Sequence, residues 1–248
     1  MASIDTAVLL AAGRGTRMGS LTQHVPKPLL PLQGRPILEH ILEGLAGAGI
    51  RRATIVTGYL AEAIEGHFGD GSRWDLNLRY RRQAEATGTA SALLLARSEL
   101  GSAPFLLSWG DIIVDPGAYR ALVEDFVDRS CAALLALNHV EDPWRGAAVY
   151  VDDSLRVERI VEKPPRGTST TPWNNAGVFV LAPRALDYAA RVPPSSRGEY
   201  EFPQALAAMV DDGEIVRGHP LSGFWSDLGT PEDLAAAQAA FQPTRRDG

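Results

Sequence analysis

Residues 9–19 read LLAAGRGTRMG, three glycines and two arginines set directly after an apolar run. Glycines let backbone N–H groups approach an anion and arginines neutralise it, so the chemistry on offer is phosphate binding. The phosphate could be that of a dinucleotide cofactor, of an ATP being hydrolysed, or of a nucleotide being built into a product. The dinucleotide fingerprint G-x-G-x-x-G fails at its third position, which is Met18, and the second strand ends VTGYL with no acid for a ribose hydroxyl. A Walker A loop needs a Lys-Ser or Lys-Thr pair after its last glycine, and none follows Met18 or Ser20. On the loop alone, a glycine-rich surface turn with incidental arginines stays open.

The continuation GRGTRMGSLTQHVPKPLLPLQGRPIL narrows the choice. Arg14, Arg17 and Lys27 fall in one loop, and Pro26 and Pro28 stiffen the chain around the lysine. Three cations and several amides would offset most of a triphosphate's charge.

These groups need a scaffold, and the hydrophobic periodicity supplies one. Strand patterns at 6–11, 53–57, 76–82 and 104–108 alternate with helix patterns at 37–48, 61–68 and 89–100. The helix at 37–48 is carried by Ile37, Leu38, Ile41, Leu42 and Leu45. This α/β order implies a parallel sheet with helices on both faces. A long loop is expected from the first strand to about Pro36. The second half is more mixed, with helices expected at 118–127, 183–190, 202–210 and from Pro231, and strands at 132–137, 147–151, 157–162 and 177–181. Thr230 is the N-cap candidate for the last helix, and Asp115 is read as a helix-start residue before Pro116. No linker or internal repeat appears, so a single domain over 1–242 is expected, with a disordered polar tail at 243–248. The strand at 104–108 leads to Gly110-Asp111 at its carboxyl end, where open α/β sheets place ligands. By itself Asp111 reads equally as a turn aspartate.

Composition excludes several classes. The chain has 248 residues, enough for a substantial core without a disulfide or metal staple. Its net charge of −6 argues against nonspecific nucleic-acid binding. The single cysteine, Cys131, sits in the apolar run SCAALLAL, which suits core packing and a reducing compartment. The five histidines are scattered without metal-ligand spacing. No basic leader and no apolar stretch of about 18 residues is present, so a cytoplasmic protein without a membrane partner is expected.

The quoted motifs, Gly13-Arg14-Gly15-Thr16-Arg17 followed by Pro26-Lys27-Pro28, carry a resemblance. The sequence resembles the sugar-1-phosphate nucleotidyltransferases, or nucleoside-diphosphate-sugar pyrophosphorylases, whose signature is G-x-G-T-R, a spacer, then P-K-P. Landmarks in the family's order run from Leu9 to about Leu234. The resemblance implies a Rossmann-like fold of the nucleotide-diphospho-sugar transferase type, with a mixed, mainly parallel sheet. It implies transfer of a nucleoside monophosphate from an NTP to a sugar 1-phosphate, by Mg²⁺-dependent in-line attack on the α-phosphorus. A phosphate monoester is mostly ionised at pH 7, with a second pKa of about 6, so no general base is required. A monomer or small homo-oligomer is expected.

The resemblance also assigns residues. Arg17, Lys27, Asp111 and Lys163 become catalytic. Asp111 and Asp227 become the Mg²⁺ ligands, the latter from GFWSDLGTPEDL, similar to the family's W-x-D-x-G-T-P. Leu10, Ala12 and Gly13 would face the base and ribose, while Arg14, Gly15, Thr16 and Arg17 would surround the phosphates. Gln83 and Gly88 would read the base. Lys163 would contact the sugar phosphate and Glu162 the sugar hydroxyls, both from IVEKP, with Gly146 and Asn175 as further sugar contacts. Asn174 is the alternative to Asn175, and Trp225 either lines the sugar pocket or packs.

A glutamine at position 83 resembles pyrimidine-using members, where guanine-using ones often carry an acid, so UTP or dTTP is favoured over GTP. Glucose 1-phosphate is the default sugar, with mannose, N-acetylmuramic and heptose phosphates as alternatives. A catalytically silent, nucleotide-sugar-binding regulator would be expected to lack one of Asp111, Asp227, Arg17 or Lys27, and all are present. No hexapeptide repeat follows Asp227, so the acyltransferase module of bifunctional relatives is not expected.

Overall fold

The computed structural model describes residues 4–243, so of the expected disordered tail all but Pro243 lies outside the described residues. The chain begins with β1 (Thr6–Ala11), the short hairpin β2 (Pro31–Leu32) and β3 (Arg35–Pro36), α1 (Ile37–Gly47), β4 (Arg52–Thr57) and α2 (Ala61–Phe68). It continues through β5 (Asn77–Arg82), α3 (Thr89–Leu95), α4 (Arg97–Leu100), β6 (Phe105–Trp109), β7 (Ile112–Val114) and α5 (Pro116–Asp128). The second half adds β8 (Ala133–His139), β9 (Ala147–Val151), β10 (Val157–Glu162), β11 (Trp173–Leu181), α6 (Ala185–Arg191), α7 (Phe202–Asp211), β12 (Val216–Pro220), β13 (Trp225–Asp227) and α8 (Pro231–Ala240).

The main sheet runs β10-β9-β11-β6-β1-β4-β5, with β8 and β12 joined through β11. β1 pairs in parallel with β4 and β6, and β4 with β5. β11 pairs antiparallel with β6 and stitches the second half onto the first. All six residues of β1 are buried, and they alternate between two cores. Ala7, Leu9 and Ala11 pack in a cluster with α1 and α5, while Val8 and Leu10 pack in one with α3, α6 and α7. A strand buried on both faces needs helices on both faces, which is the expected α/β layering.

The caps act where the sequence placed them. Asp115 accepts from Gly117 N at 2.9 Å, and Thr230 Oγ1 accepts from Asp233 N at 3.2 Å, with Pro231 opening α8. Edge strand β5 carries Arg79, Arg81 and Arg82, paired with Glu99, Glu62 and Glu65, so the edge is charged against sheet extension. Buried Cys131 has its thiol pushed up to about 11, chiefly by burial, which keeps it an inert packing group.

Three features differ from the sequence expectation. The helix expected at 89–100 is broken at Ala96, whose N–H bonds Leu93 O in a tightened turn. The loop before Pro36 contains 3₁₀ turns at Thr16–Thr22 and Lys27–Leu29 and the β2–β3 hairpin. β7, β12 and β13 carry too little periodicity to show in the sequence. They exist by pairing, as Trp225 with Val114 and Asp227 with Ile112.

Candidate active site

The carboxyl ends of β1 and β6 lie side by side, so the glycine loop and Gly110-Asp111 meet. Met18, the residue that spoils the dinucleotide fingerprint, is 1 % exposed and anchors the loop in the core. Its N–H and the Thr22 hydroxyl both donate to Gly15 O at 2.9 Å, closing the loop on itself. The next 3₁₀ turn delivers Lys27, 6 % exposed, whose Nζ donates to Asp111 Oδ2 at 2.6 Å. Antiparallel pairing of β13 with β7 sets Asp227 opposite Ile112, and Leu228 N donates to Asp111 O at 3.1 Å. Two carboxylates 116 positions apart in the chain (227 − 111) thus share one end of the sheet. Gly229 leaves space for Arg17: a Cβ there would stand 3.1 Å from the Arg17 guanidinium.

Three adjoining cavities open around these groups. One of about 350 Å³ is lined by Leu10, Gly13, Gly15, Thr16, Arg17, Lys27 and Asp111. A second, of about 320 Å³, takes in Asp111, Asp227, Gly146, Glu162, Lys163 and Asn175. A third, also about 320 Å³, is bounded by Asp142, Arg145, Asn174, Trp225 and Asp227. Arg17 lines all three.

The residues expected to bind the sugar come from separate strands held in register. Glu162 of β10 pairs with Ala147 of β9, and Lys163 N donates to Gly146 O at 2.7 Å. Lys163 holds φ +45°, a left-handed conformation unusual for a side-chain-bearing residue and common at functional sites. Asn175 lines the second cavity, its Oδ1 accepting from Gly177 N at 3.0 Å. Asn174 is instead buried at 6 % exposure and donates through Nδ2 to Asn138 Oδ1 and Asn175 O, each at 2.9 Å. Gly146 must lack a side chain, because a Cβ would meet Asn174 Oδ1 at 2.2 Å. Trp225 both lines a cavity and packs, with Nε1 donating to Ala176 O at 3.0 Å.

Burial, reinforced by the neighbouring Asp111 charge, pushes the Asp227 carboxyl above the usual carboxylate range. Burial, with Glu201 nearby, pushes Glu162 up to about 7, against the pull of Lys163 and Arg197.

Some expected residues stand outside the cavities. Ala12 and Arg14 do not line the first cavity, where the phosphates were expected. The Arg14 guanidinium lies 5.2 Å from the centre of the Tyr59 ring. Tyr59 N donates to Ala12 O at 3.2 Å and its hydroxyl to Gln23 O at 2.7 Å, so Tyr59 ties down both ends of the loop. Gln83 directly follows β5, two strands from β1, and Gly88 stands at the start of α3. At about 4.8 Å per strand, that offset is roughly 10 Å, the span of a nucleoside.

Sequence reasoning missed Tyr59, Arg197, Glu199 and Glu201. The last three come from SSRGEYEF, a loop whose one visible signal is its charge density before α7. Tyr200 N donates to Thr87 O and Ala90 N to Tyr200 O, each at 2.8 Å, which folds the loop over α3. Buried Glu201 pairs with Arg197, and Glu199 borders both the first and the second cavity.

Residues 6–243 match the nucleotidyl transferase family. The chain is 34 % identical over 233 residues to the low-salt glycan biosynthesis nucleotidyltransferase Agl11 of Haloferax volcanii, a match covering 93 % of this chain and 64 % of that protein. It is 31 % identical over 240 residues to the UTP–glucose-1-phosphate uridylyltransferase AglF of the same organism, covering 95 % and 96 %. A Bacillus anthracis structure solved with sucrose, of a protein assigned as a glucose-1-phosphate thymidylyltransferase, superposes with a TM-score of 0.86 at 28 % identity over 94 % of each chain. The chain thus spans less than two thirds of Agl11 and nearly all of AglF. With the family match running from β1 through α8 and taking in both aspartates, the chain belongs to the sugar-1-phosphate nucleotidyltransferases of the nucleotidyl transferase family.

Proposed function

We propose that this protein transfers a nucleoside monophosphate from UTP or dTTP to a sugar 1-phosphate, glucose 1-phosphate in the first instance, releasing pyrophosphate. The observation that carries this reading is the position of Arg17, which borders all three cavities and shares two of them with Asp111 and two with Asp227. A guanidinium there can follow charge from the triphosphate to the departing pyrophosphate. The names of AglF and of the Bacillus anthracis protein support the same substrate classes.

In this reading Lys27 supports the α-phosphate and Lys163 holds the sugar phosphate. A sugar-phosphate oxygen forms a bond to the α-phosphorus while the bond to the bridging oxygen breaks, and pyrophosphate leaves with the electron pair. The nucleophile is already ionised, so the residues position and neutralise. Glu162 and Asn175 would bind sugar hydroxyls, and Gln83 would face the base. The cytoplasm, where nucleoside triphosphates are supplied, is the fitting location.

The donor set fits Mg²⁺. Among the described residues the Asp227 carboxylate accepts no hydrogen bond, and the Asp111 carboxylate accepts one, on Oδ2 from Lys27. Two hard carboxylates with unspent lone pairs suit a small divalent cation that takes its other ligands from phosphate and water. Asp111 and Asp227 would hold it, and it would supply charge neutralisation to the phosphate oxygens. The test is a matrix of NTPs against sugar 1-phosphates with Mg²⁺, read by pyrophosphate release. UTP or dTTP with a hexose 1-phosphate is expected to be most active. Retained nucleotide binding with no release from any pair would overturn the reading.

A further inference from the structure

Helix α7 is not capped by the residue that stands at its N-cap. Glu201 holds that position, but its carboxylate makes no bond to the helix's amides. It accepts instead from Arg197 and, on Oε1 at 3.2 Å, from the Ser195 hydroxyl. The first amide of α7, Phe202 N, donates to Thr89 Oγ1 at 2.8 Å, and Thr89 is the first residue of α3. Pro203 has no N–H to satisfy, and Gln204 N bonds Glu201 O at 3.0 Å. The start of one helix is thus capped by the start of another, 113 positions away in the chain. The main-chain bonds from Tyr200 N to Thr87 O and from Ala90 N to Tyr200 O hold the same junction closed. Gly88 lets the two backbones meet, since a Cβ there would stand 2.4 Å from Tyr200 O.

The exchange of caps decides where a charge goes. A carboxylate that capped its own helix would turn back toward the amides of the first turn. Relieved of that task, Glu201 holds the Arg197 guanidinium, and both residues border the second cavity beside Lys163. We infer that Thr89 is a positioning residue for the sugar 1-phosphate: by capping α7 in place of Glu201, it leaves the Glu201 carboxylate free to orient Arg197 in the second cavity. The inference rests on the reading that this cavity takes the sugar 1-phosphate. Without the Thr89 oxygen, Phe202 N loses its acceptor, and the Glu201 carboxylate next to it in the chain is the group that replaces it. Arg197 then loses the partner that orients it. The threonine belongs to the helix that follows the expected base-reading segment, so a residue on that helix sets the affinity for the other substrate.

The experiment measures KM for glucose 1-phosphate and for UTP, by pyrophosphate release, in the wild type, T89V, T89S, R197A and the T89V/R197A double variant. Hydrogen exchange of the 195–204 backbone amides is followed in the same proteins without substrates. T89V keeps the side chain's shape and removes the acceptor. It is expected to raise the KM for the sugar phosphate by roughly fivefold, the loss of one neutral hydrogen bond, and to speed exchange at Phe202. T89S, which keeps the hydroxyl, should match the wild type in both readouts. R197A should raise the same KM by about 30-fold, the loss of a charge-assisted contact. Because Thr89 acts through Arg197, T89V should add less than about twofold in the R197A background. The KM for UTP should stay within about twofold throughout, which general destabilisation would not allow. Effects of T89V and R197A that multiply would show Thr89 touching the sugar phosphate itself and overturn the inference. If R197A raises the KM for the sugar phosphate while T89V leaves it unchanged, the inference falls and the sugar reading of the cavity stands. A KM unmoved by R197A overturns that reading and the inference with it.

Discussion

The proposed nucleotide side and the proposed sugar side of this cleft are built differently. On the nucleotide side, one loop after the central parallel strand supplies the glycines, Thr16, Arg17 and Lys27, and β6 adds Asp111. Its main contact is a short ion pair from an almost fully buried lysine. On the sugar side the groups arrive from the ends of β9, β10 and β11 and from the 195–201 loop, all in the antiparallel half. Acids outweigh bases there, and burial holds Glu162 well above its ordinary range. Phosphate is the same ligand in every nucleotide, so a compact cationic loop suffices. Hydroxyl patterns differ between sugars, and reading them takes directed acceptors drawn from several elements. Arg17 borders all three cavities, while Asp111 and Glu199 border the first two.

Mutations can break this contrast, and the largest effects belong to the nucleotide side. R17A, K27A and D111N should each lower kcat by at least about 100-fold, the cost of losing one preorganised stabiliser. R17K should fall nearly as far, because an ammonium cannot reproduce the guanidinium fork. Near wild-type pyrophosphate release by any folded variant would remove that residue from its role. On the sugar side, K163A should act mainly on the sugar phosphate, raising its KM by roughly 30-fold while NTP binding, followed by equilibrium titration, changes little. A rise confined to the KM for NTP would place Lys163 on the wrong side of the cleft.

A smaller effect tests the loop's anchor. Y59A removes the ring under Arg14 and the bond to Gln23 O, and should raise the KM for NTP by about five- to tenfold, leaving the sugar KM in place. Y59F loses only the hydroxyl and should lie between. Equal shifts in both KM values would mean general destabilisation instead.

The smallest effect concerns Glu162 and pH. Its carboxyl is raised in the folded protein to about 7 from 4.5, so between those values the folded state keeps a proton that the unfolded chain has lost. Stability contributed by this group is therefore present below pH 4.5 and is lost as pH rises through 7. E162Q cannot ionise, so its melting temperature relative to wild type should rise by a few degrees from pH 5 to pH 8. A constant difference across that range would show that burial does not penalise this carboxylate.

The parallel half was largely legible in the sequence, because its strands and helices have strong periodicity and their apolar residues pack where the pattern predicts. Asp111 could be placed at a strand end from that pattern alone, and the loop cations from their spacing. Asp227 was legible as part of a motif but not as a neighbour of Asp111. That neighbourhood depends on β13 and β7, two three-residue strands whose pairing is long-range and leaves no local trace. The same reason hid Tyr59, whose three partners lie on one loop some 36 to 47 positions earlier (59 − 23 and 59 − 12).

By itself the sequence determined the α/β layering, the cationic loop, the capped helices and the set of acids and bases available for phosphoryl chemistry, since each follows from local spacing and side-chain type. The tertiary structure alone decided that Asn175 borders the second and third cavities, while Asn174, at the third only, donates its amide to Asn138 Oδ1 and crowds Gly146. It also decided that Arg14 lies on Tyr59 and that the 195–201 loop folds over α3. These are choices between neighbouring atoms, settled by cross-strand register and by the satisfaction of buried polar groups, and both arise only when distant segments meet.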